Sequence, residues 1–181
     1  MHALHEGRGA VAHAGEGHSN AGHGLGFKSL ILRLGAGQNV KEERSVGAII
    51  FRRDVGRCLF LLLHYQGGHY DWPKGHIEPG EQELDTVRRE VLEETGIEDL
   101  TIYGGFRETI LYFYTRGGER IRKTVAFYLA ETSTSEVKLS WEHVGYKWAD
   151  YEESMNTLTY RNSREVLEKA RRFLEQRGIS V

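Results

Sequence analysis

The chain has 181 residues, enough for one globular domain and some additional sequence. Its 24 basic and 26 acidic side chains leave a net charge of −2, so nothing marks it as a general nucleic-acid binder, and no DNA partner is expected. The single cysteine, Cys58, excludes an internal disulfide framework and fits a reducing, cytoplasmic setting. No apolar run approaches the roughly 18 residues that a membrane span needs, so no membrane partner is expected either.

Residues 1–43 are dominated by Gly, Ala and His and cannot bury enough apolar surface to offset the entropy of ordering them. They read as a disordered or cloning-derived extension ahead of a domain over residues 44–181. Their histidines, His2, His5, His13, His18 and His23, are irregularly spaced and lack the paired cysteines of a zinc site. The patch at residues 27–34 is a candidate short helix.

From Ser45 the pattern tightens. Val46 to Phe51 and Leu59 to His64 are apolar or β-branched runs separated by a turn-rich gap at residues 54–57, which predicts paired strands. Cys58 lies in the second run and reads as core filler. Gly67-Gly68 leads as a loop to Trp72-Pro73-Lys74-Gly75. Residues 83–95 have helical periodicity, with Leu84, Val87, Val91 and Leu92 on the core side and Gly96 as the stop. Strands follow at 101–115 and 120–131 around Gly117-Gly118, a hairpin signal, with a further strand at 144–149. Asn162 with Glu165 resembles a capping box opening a last helix that Gly178 closes. The order predicts an α+β fold, a mixed α/β sandwich.

On the first helix, Glu90, Glu93 and Glu94 fall within an arc of about 100°. Carboxylates at i and i+4 repel by roughly 0.2–0.5 kcal/mol, a cost that a hard, oxygen-seeking cation such as Mg²⁺ between them removes. Arg89 can hold a neighbouring carboxylate through a bidentate contact. The plain alternative is a solvated acidic face.

Gly75, five residues, Glu81, seven residues, Arg89-Glu90-Val91, one residue, Glu93-Glu94, one residue and Gly96-Ile97 together resemble the Nudix box at every specified position. The resemblance implies a Nudix fold, a mixed β-sheet between helices with the box as a loop-helix-loop. It also implies hydrolysis of a phosphoanhydride bond with Mg²⁺ or Mn²⁺ held by Glu90, Glu93, Glu94 and the Gly75 carbonyl. Arg89 and Glu81 would orient the ligands, and Glu90 or Glu142 would take the proton from water.

The flanks, Trp72-Pro73-Lys74-Gly75-His76, Tyr112, Lys123-Thr124-Val125 and residues 141–148, are similar to the asymmetric diadenosine tetraphosphate hydrolase branch of that family. That similarity implies a dinucleoside polyphosphate substrate. Tyr112 and Tyr146 would sandwich an adenine, Lys74 and Lys123 would contact phosphates with Arg120 or Arg122 nearby, and Glu142 would add a metal-binding carboxylate. His69, His76 and His143 are candidate polar wall residues. One proline stands before Lys74 where some relatives carry two, and the connection from Tyr112 to Lys123 is longer than in the animal enzymes. The other readings are a nucleoside triphosphate, an RNA 5′ end or a diphosphoinositol phosphate as substrate, or a domain that senses nucleotides without cleaving them.

Overall fold

The structure, a computed structural model, describes residues 40–181, so the histidines of the N-terminal segment and the patch at 27–34 lie outside the described residues. β1 (Lys41–Asp54) starts earlier than the composition suggested, which places Glu43 inside the domain, where it is buried. β1 and β2 (Arg57–Tyr65) pair antiparallel, and their middle residues are buried on both faces, which accounts for the uninterrupted apolar runs. Val55 and Gly56 make the two-residue turn between them, both at positive φ.

β3 (Tyr70–Asp71) pairs with β2, and β4 (Lys74–His76) pairs with β1. The sequence pattern predicts neither, because two or three residues are too few to show a period. β4 crosses close to β1 at Gly47, where an added Cβ would stand 2.5 Å from the Pro73 carbonyl oxygen. Only glycine fits there.

α1 (Glu83–Thr95) carries the acidic motif. Asp85 accepts a 3.1 Å bond from the Gln82 backbone N–H at its start, and Gly96, at φ 70, lets its own N–H reach the Leu92 carbonyl at 2.8 Å. Val87 and Val91 are fully buried as expected, but Leu84 and Leu92 are exposed. The inner face is completed instead by Thr86, Glu94 and Thr95.

β5 (Thr101–Arg116) and β6 (Glu119–Glu131) form the hairpin turning on Gly117-Gly118, both at positive φ. β6 also runs parallel to β1 from Lys41↔Ile121 to Phe51↔Glu131. β7 (His143–Ala149) adds to β2. The seven-stranded sheet follows the order β3-β2-β1-β6-β5, with β7 on β2 and β4 on β1. α1 packs on one face over Val46, Ala48, Ile50, Leu61 and Leu63. α2 (Tyr151–Thr157) and α3 (Arg161–Glu175) lie on the side of Ile49, Phe51, Phe60, Leu62 and Phe127, where α3 buries Val166, Leu167, Ala170 and Leu174. This is the expected α+β sandwich, a mixed sheet between helices.

α2 was not anticipated, although Asp150 accepts a 2.9 Å bond from the Glu153 N–H as a legible N-cap. α3 begins at Arg161 behind Tyr160, not at an Asn162–Glu165 box. Tertiary ties set that start. Thr159 exchanges two bonds with the Tyr70 backbone, and the Ser163 hydroxyl donates to buried Asp71 at 2.6 Å. Among the described residues no helix is long and apolar enough to cross a membrane.

Candidate active site

The box loop is tied to its helix by Arg89. Nε and Nη2 grip the two oxygens of Glu81 at 2.6 and 3.0 Å, and Nη2 also reaches the His76 carbonyl at 3.0 Å. Nη1 donates to Glu90 at 2.7 Å and Glu93 at 3.2 Å. Hydrogen bonds from Arg89 and Thr86 hold the Glu81 carboxyl down at about 2, so it remains an anion at any working pH. Arg89 thus links Glu81 on the loop side to Glu90 and Glu93 on the helix.

Glu90, Glu93, Glu94 and Glu142 line one cleft of about 280 Å³ together with Ser140 and Trp141. They do not converge on a point. Among the described residues no three His, Cys, Asp or Glu side chains are gathered as a ready-made cage, since Arg89 engages Glu90 and Glu93 and the bare carboxylates repel. Glu94 is nearly buried, and burial pushes its carboxyl up to about 8 against the pull of Lys74, with Glu90 adding repulsion. Burial also raises Glu90, opposed by Arg89. The Glu90 carboxylate lies over Gly75, where an added Cβ would meet its Cδ at 1.8 Å. Several acids on oxygen donors alone, two of them desolvated and mutually repelling, match the preference of a hard divalent ion. Such an ion would replace the missing counter-charge.

A second cavity, of about 440 Å³, opens on the opposite face of the sheet and is lined by Tyr112, Tyr160, His69, Asp71 and Lys74 among others. Tyr112 stands on β5 directly across from Lys123 on β6, and burial pushes its phenol up to about 12. Tyr160 is placed by the Thr159–Tyr70 bonds just ahead of α3, with the His69 ring centroid 5.3 Å away. Lys74 belongs to both regions. Its ammonium lies 2.9 Å from Asp71 and 4.5 Å above the centre of the Tyr65 ring, while its backbone N–H donates to Glu94 at 3.1 Å.

Glu90, Glu93, Glu94 and Glu142, the last from the loop before β7, thus line one cleft, with Gly75 beneath the Glu90 carboxylate and Glu81 connected to it through Arg89. Tyr146 does not join Tyr112. It pairs with Leu63 and shares the α1 face, whereas Tyr112 packs with the core on the other side. The two cannot sandwich one base. Tyr160 instead lines the cavity with Tyr112, and its only sequence signal was an aromatic residue just before a helix.

Lys123 is buried and held by His76 at 2.8 Å and Glu43 at 3.4 Å. The Tyr114 hydroxyl, opposed by burial, holds the Glu43 carboxyl down at about 2. Arg120 and Arg122 do not stand beside Lys123. They alternate to the other face, where Arg120 covers the Phe113 ring and Arg122 pairs with Glu42. His143 is buried, with Nε2 3.9 Å from Glu94, and burial together with Lys74 depresses its pKa to about 4, so the ring is neutral. Cys58 is buried in the core, its Sγ 3.2 Å from the Ser180 carbonyl oxygen, as a filler should be.

A family model described as the NUDIX domain matches residues 41–170. The asymmetrical bis(5′-nucleosyl)-tetraphosphatase of Mus musculus is 39% identical over 143 residues, spanning 72% of this chain and 95% of that protein. Its counterpart in Caenorhabditis elegans is 36% identical over 136 residues, spanning 72% and 96%. Among solved structures, a C. elegans Ap4A hydrolase binary complex matches with a TM-score of 0.67 at 34% identity, covering 74% of this chain and 98% of that one.

Proposed function

This chain belongs to the Nudix family and is a Nudix hydrolase, and from that premise we propose that it splits dinucleoside polyphosphates asymmetrically, turning diadenosine tetraphosphate into ATP and AMP with Mg²⁺ or Mn²⁺. The observation that carries the reading is the double role of Lys74. It joins a cavity walled by Tyr112 and Tyr160, suited to a purine, to a cleft of carboxylates suited to a divalent ion.

One adenine lies between Tyr112 and Tyr160, whose rings offer stacking faces with polar tips. The Lys74 ammonium, released from Asp71, takes a phosphate oxygen as the chain runs toward the carboxylates. Lys123 does the same after exchanging Glu43 for phosphate. Nudix hydrolases generally require a divalent metal; Glu90, Glu93, Glu94 and Glu142, with the Gly75 carbonyl, would hold the ion here, and it would supply phosphate charge neutralisation and acidified water for attack on phosphorus. Arg89 keeps Glu90 and Glu93 oriented, with Glu81 as its brace. The proton lost by water goes to Glu90 or Glu142, the two acids between which Glu90→Gln and Glu142→Gln discriminate through their pH–rate profiles. A single buried thiol, Cys58, suits a reducing cytoplasm.

Incubating the protein with Mg²⁺ and diadenosine tetraphosphate and separating the nucleotides by chromatography tests the reading. ATP and AMP in equal amounts are expected. Two ADP would make the cleavage symmetric and overturn the assignment, and no product at all would turn the domain into a nucleotide sensor.

A further inference from the structure

The carboxylate cleft contains one aromatic residue that neither the brace nor the tyrosine cavity uses. Trp141 lines the cleft with Glu90, Glu93, Glu94 and Glu142, and it is 80% exposed. The other two tryptophans are occupied. Trp72 is fully buried with its indole N–H on the Ser163 carbonyl, and Trp148 donates to the Ser135 carbonyl while Arg52 covers its ring.

An exposed tryptophan on a loose loop would mean little, but this loop is pinned on both sides of the residue. Lys138 N–H donates to the Thr95 carbonyl at 2.8 Å and Ser140 N–H to the Glu94 carbonyl at 3.2 Å, which ties the loop to the end of α1. Gln66 N–H donates to the Glu142 carbonyl at 3.1 Å, and the Gln66 side chain reaches the Trp141 carbonyl. The Ser140 hydroxyl and His143 Nδ1 close the turn at 3.0 Å. The backbone of Trp141 is therefore fixed while its indole faces water, so a flat ligand laid on it would bury apolar surface without first having to order the loop.

We propose that Trp141 is the platform for the second nucleoside of the substrate, the one on the far side of the scissile bond from the tyrosine cavity. The inference rests on the dinucleotide reading above. If one base occupies the cavity of Tyr112 and Tyr160 and the bond is cut at the carboxylates, the remainder of the substrate must leave past those carboxylates, where Trp141 stands. A nucleobase is uncharged, so it can lie beside Glu142 without repulsion while its phosphate faces the cation. Stacking on one indole tolerates any base. Specificity at this end should therefore be broad, in contrast to the two-sided clamp at the other.

The test compares diadenosine tetraphosphate with adenosine 5′-tetraphosphate, which has the same phosphate chain and no second base. For the wild type, KM should be about 10-fold lower for the dinucleotide, and Trp141→Ala should collapse that ratio toward one. Trp141→Phe should retain most of it. Equal loss on both substrates in Trp141→Ala, or an unchanged ratio, would overturn the platform.

A methylene-bridged, uncleavable dinucleotide provides a readout free of turnover. It should quench an emission component that Trp141→Phe lacks, and adenosine tetraphosphate should not. Quenching by both ligands alike would overturn the inference as well. A wild type that cleaves neither substrate would sink the dinucleotide reading itself, and the quenching comparison would still decide whether a distal base binds at Trp141.

Discussion

Replacing Gly75 by alanine puts a methyl group into the one place the catalytic arrangement leaves no room for it. The added Cβ would stand 1.8 Å from Glu90 Cδ and 1.9 and 2.1 Å from the two carboxylate oxygens. Ordinary carbon contacts begin near 3.5 Å, so the carboxylate has to retreat by about 1.5 Å. It is the far end of a flexible side chain, and retreat is easy; the fold should survive with little change in melting temperature. The retreat nevertheless moves Glu90 away from the cleft position it shares with Glu94 and Glu142. A misplacement of about 1 Å in a catalytic group is worth about 100-fold in rate.

Steady-state kinetics on diadenosine tetraphosphate across a Mg²⁺ series should therefore show kcat reduced by about 100-fold in Gly75→Ala and half-saturation shifted to higher Mg²⁺, with KM changed far less. Gly104→Ala is the control, since nothing lies within 4 Å of its added Cβ; it should behave as wild type. A folded Gly75→Ala enzyme with normal kcat and normal metal dependence would refute the argument that Glu90 acts from its place over Gly75.

The aromatic cavity makes a separable prediction. Tyr160→Ala should raise KM by about 10-fold or more through the loss of a stacking face, while Tyr146→Ala, on the other side of the sheet, should change KM by less than about twofold. A larger effect at Tyr146 than at Tyr160 would reverse the assignment. Val55, 97% exposed at φ 41 in a two-residue hairpin turn, is a β-branched residue where Asn is at ease; Val55→Asn should raise stability by about 0.5–1 kcal/mol in denaturant melts.

Arg107 and Tyr128 hold Glu83 down from 4.5 to about 2, against partial burial. A depressed folded-state pKa contributes stability that is complete above the unfolded value and is lost as pH falls from about 4.5 to 2. Wild type should therefore lose about 1–2 kcal/mol more than Arg107→Leu between pH 6 and pH 2. Parallel pH–stability curves for the two would remove that ion pair from the balance.

Features that depend on neighbours a few residues apart are legible in the amino-acid order alone. Glu90, Glu93 and Glu94 share an arc because helical spacing puts them there, Gly96 stops the helix because it accepts φ 70, and Gly117-Gly118 turns the hairpin because both residues sit at positive φ. Even the grip of Arg89 on Glu81 stays within one loop and helix.

Which faces meet depends on long-range packing. Alternation along β5 and β7 identifies two faces for each strand, but the register against β6 and β2 chooses which one each tyrosine joins; that is why Tyr146 went to α1 and Tyr160, outside any strand, came to Tyr112. Leu84 and Leu92 had the right spacing for a core and no partner surface to cover them. Likewise the start of α3 was set by Asp71 and Tyr70, about 90 residues away in the chain, whose hydrogen bonds outweigh a local cap at Asn162. A helical turn closes through its own backbone bonds, whereas the pairing of distant strands is settled only when the whole sheet buries its two cores at once.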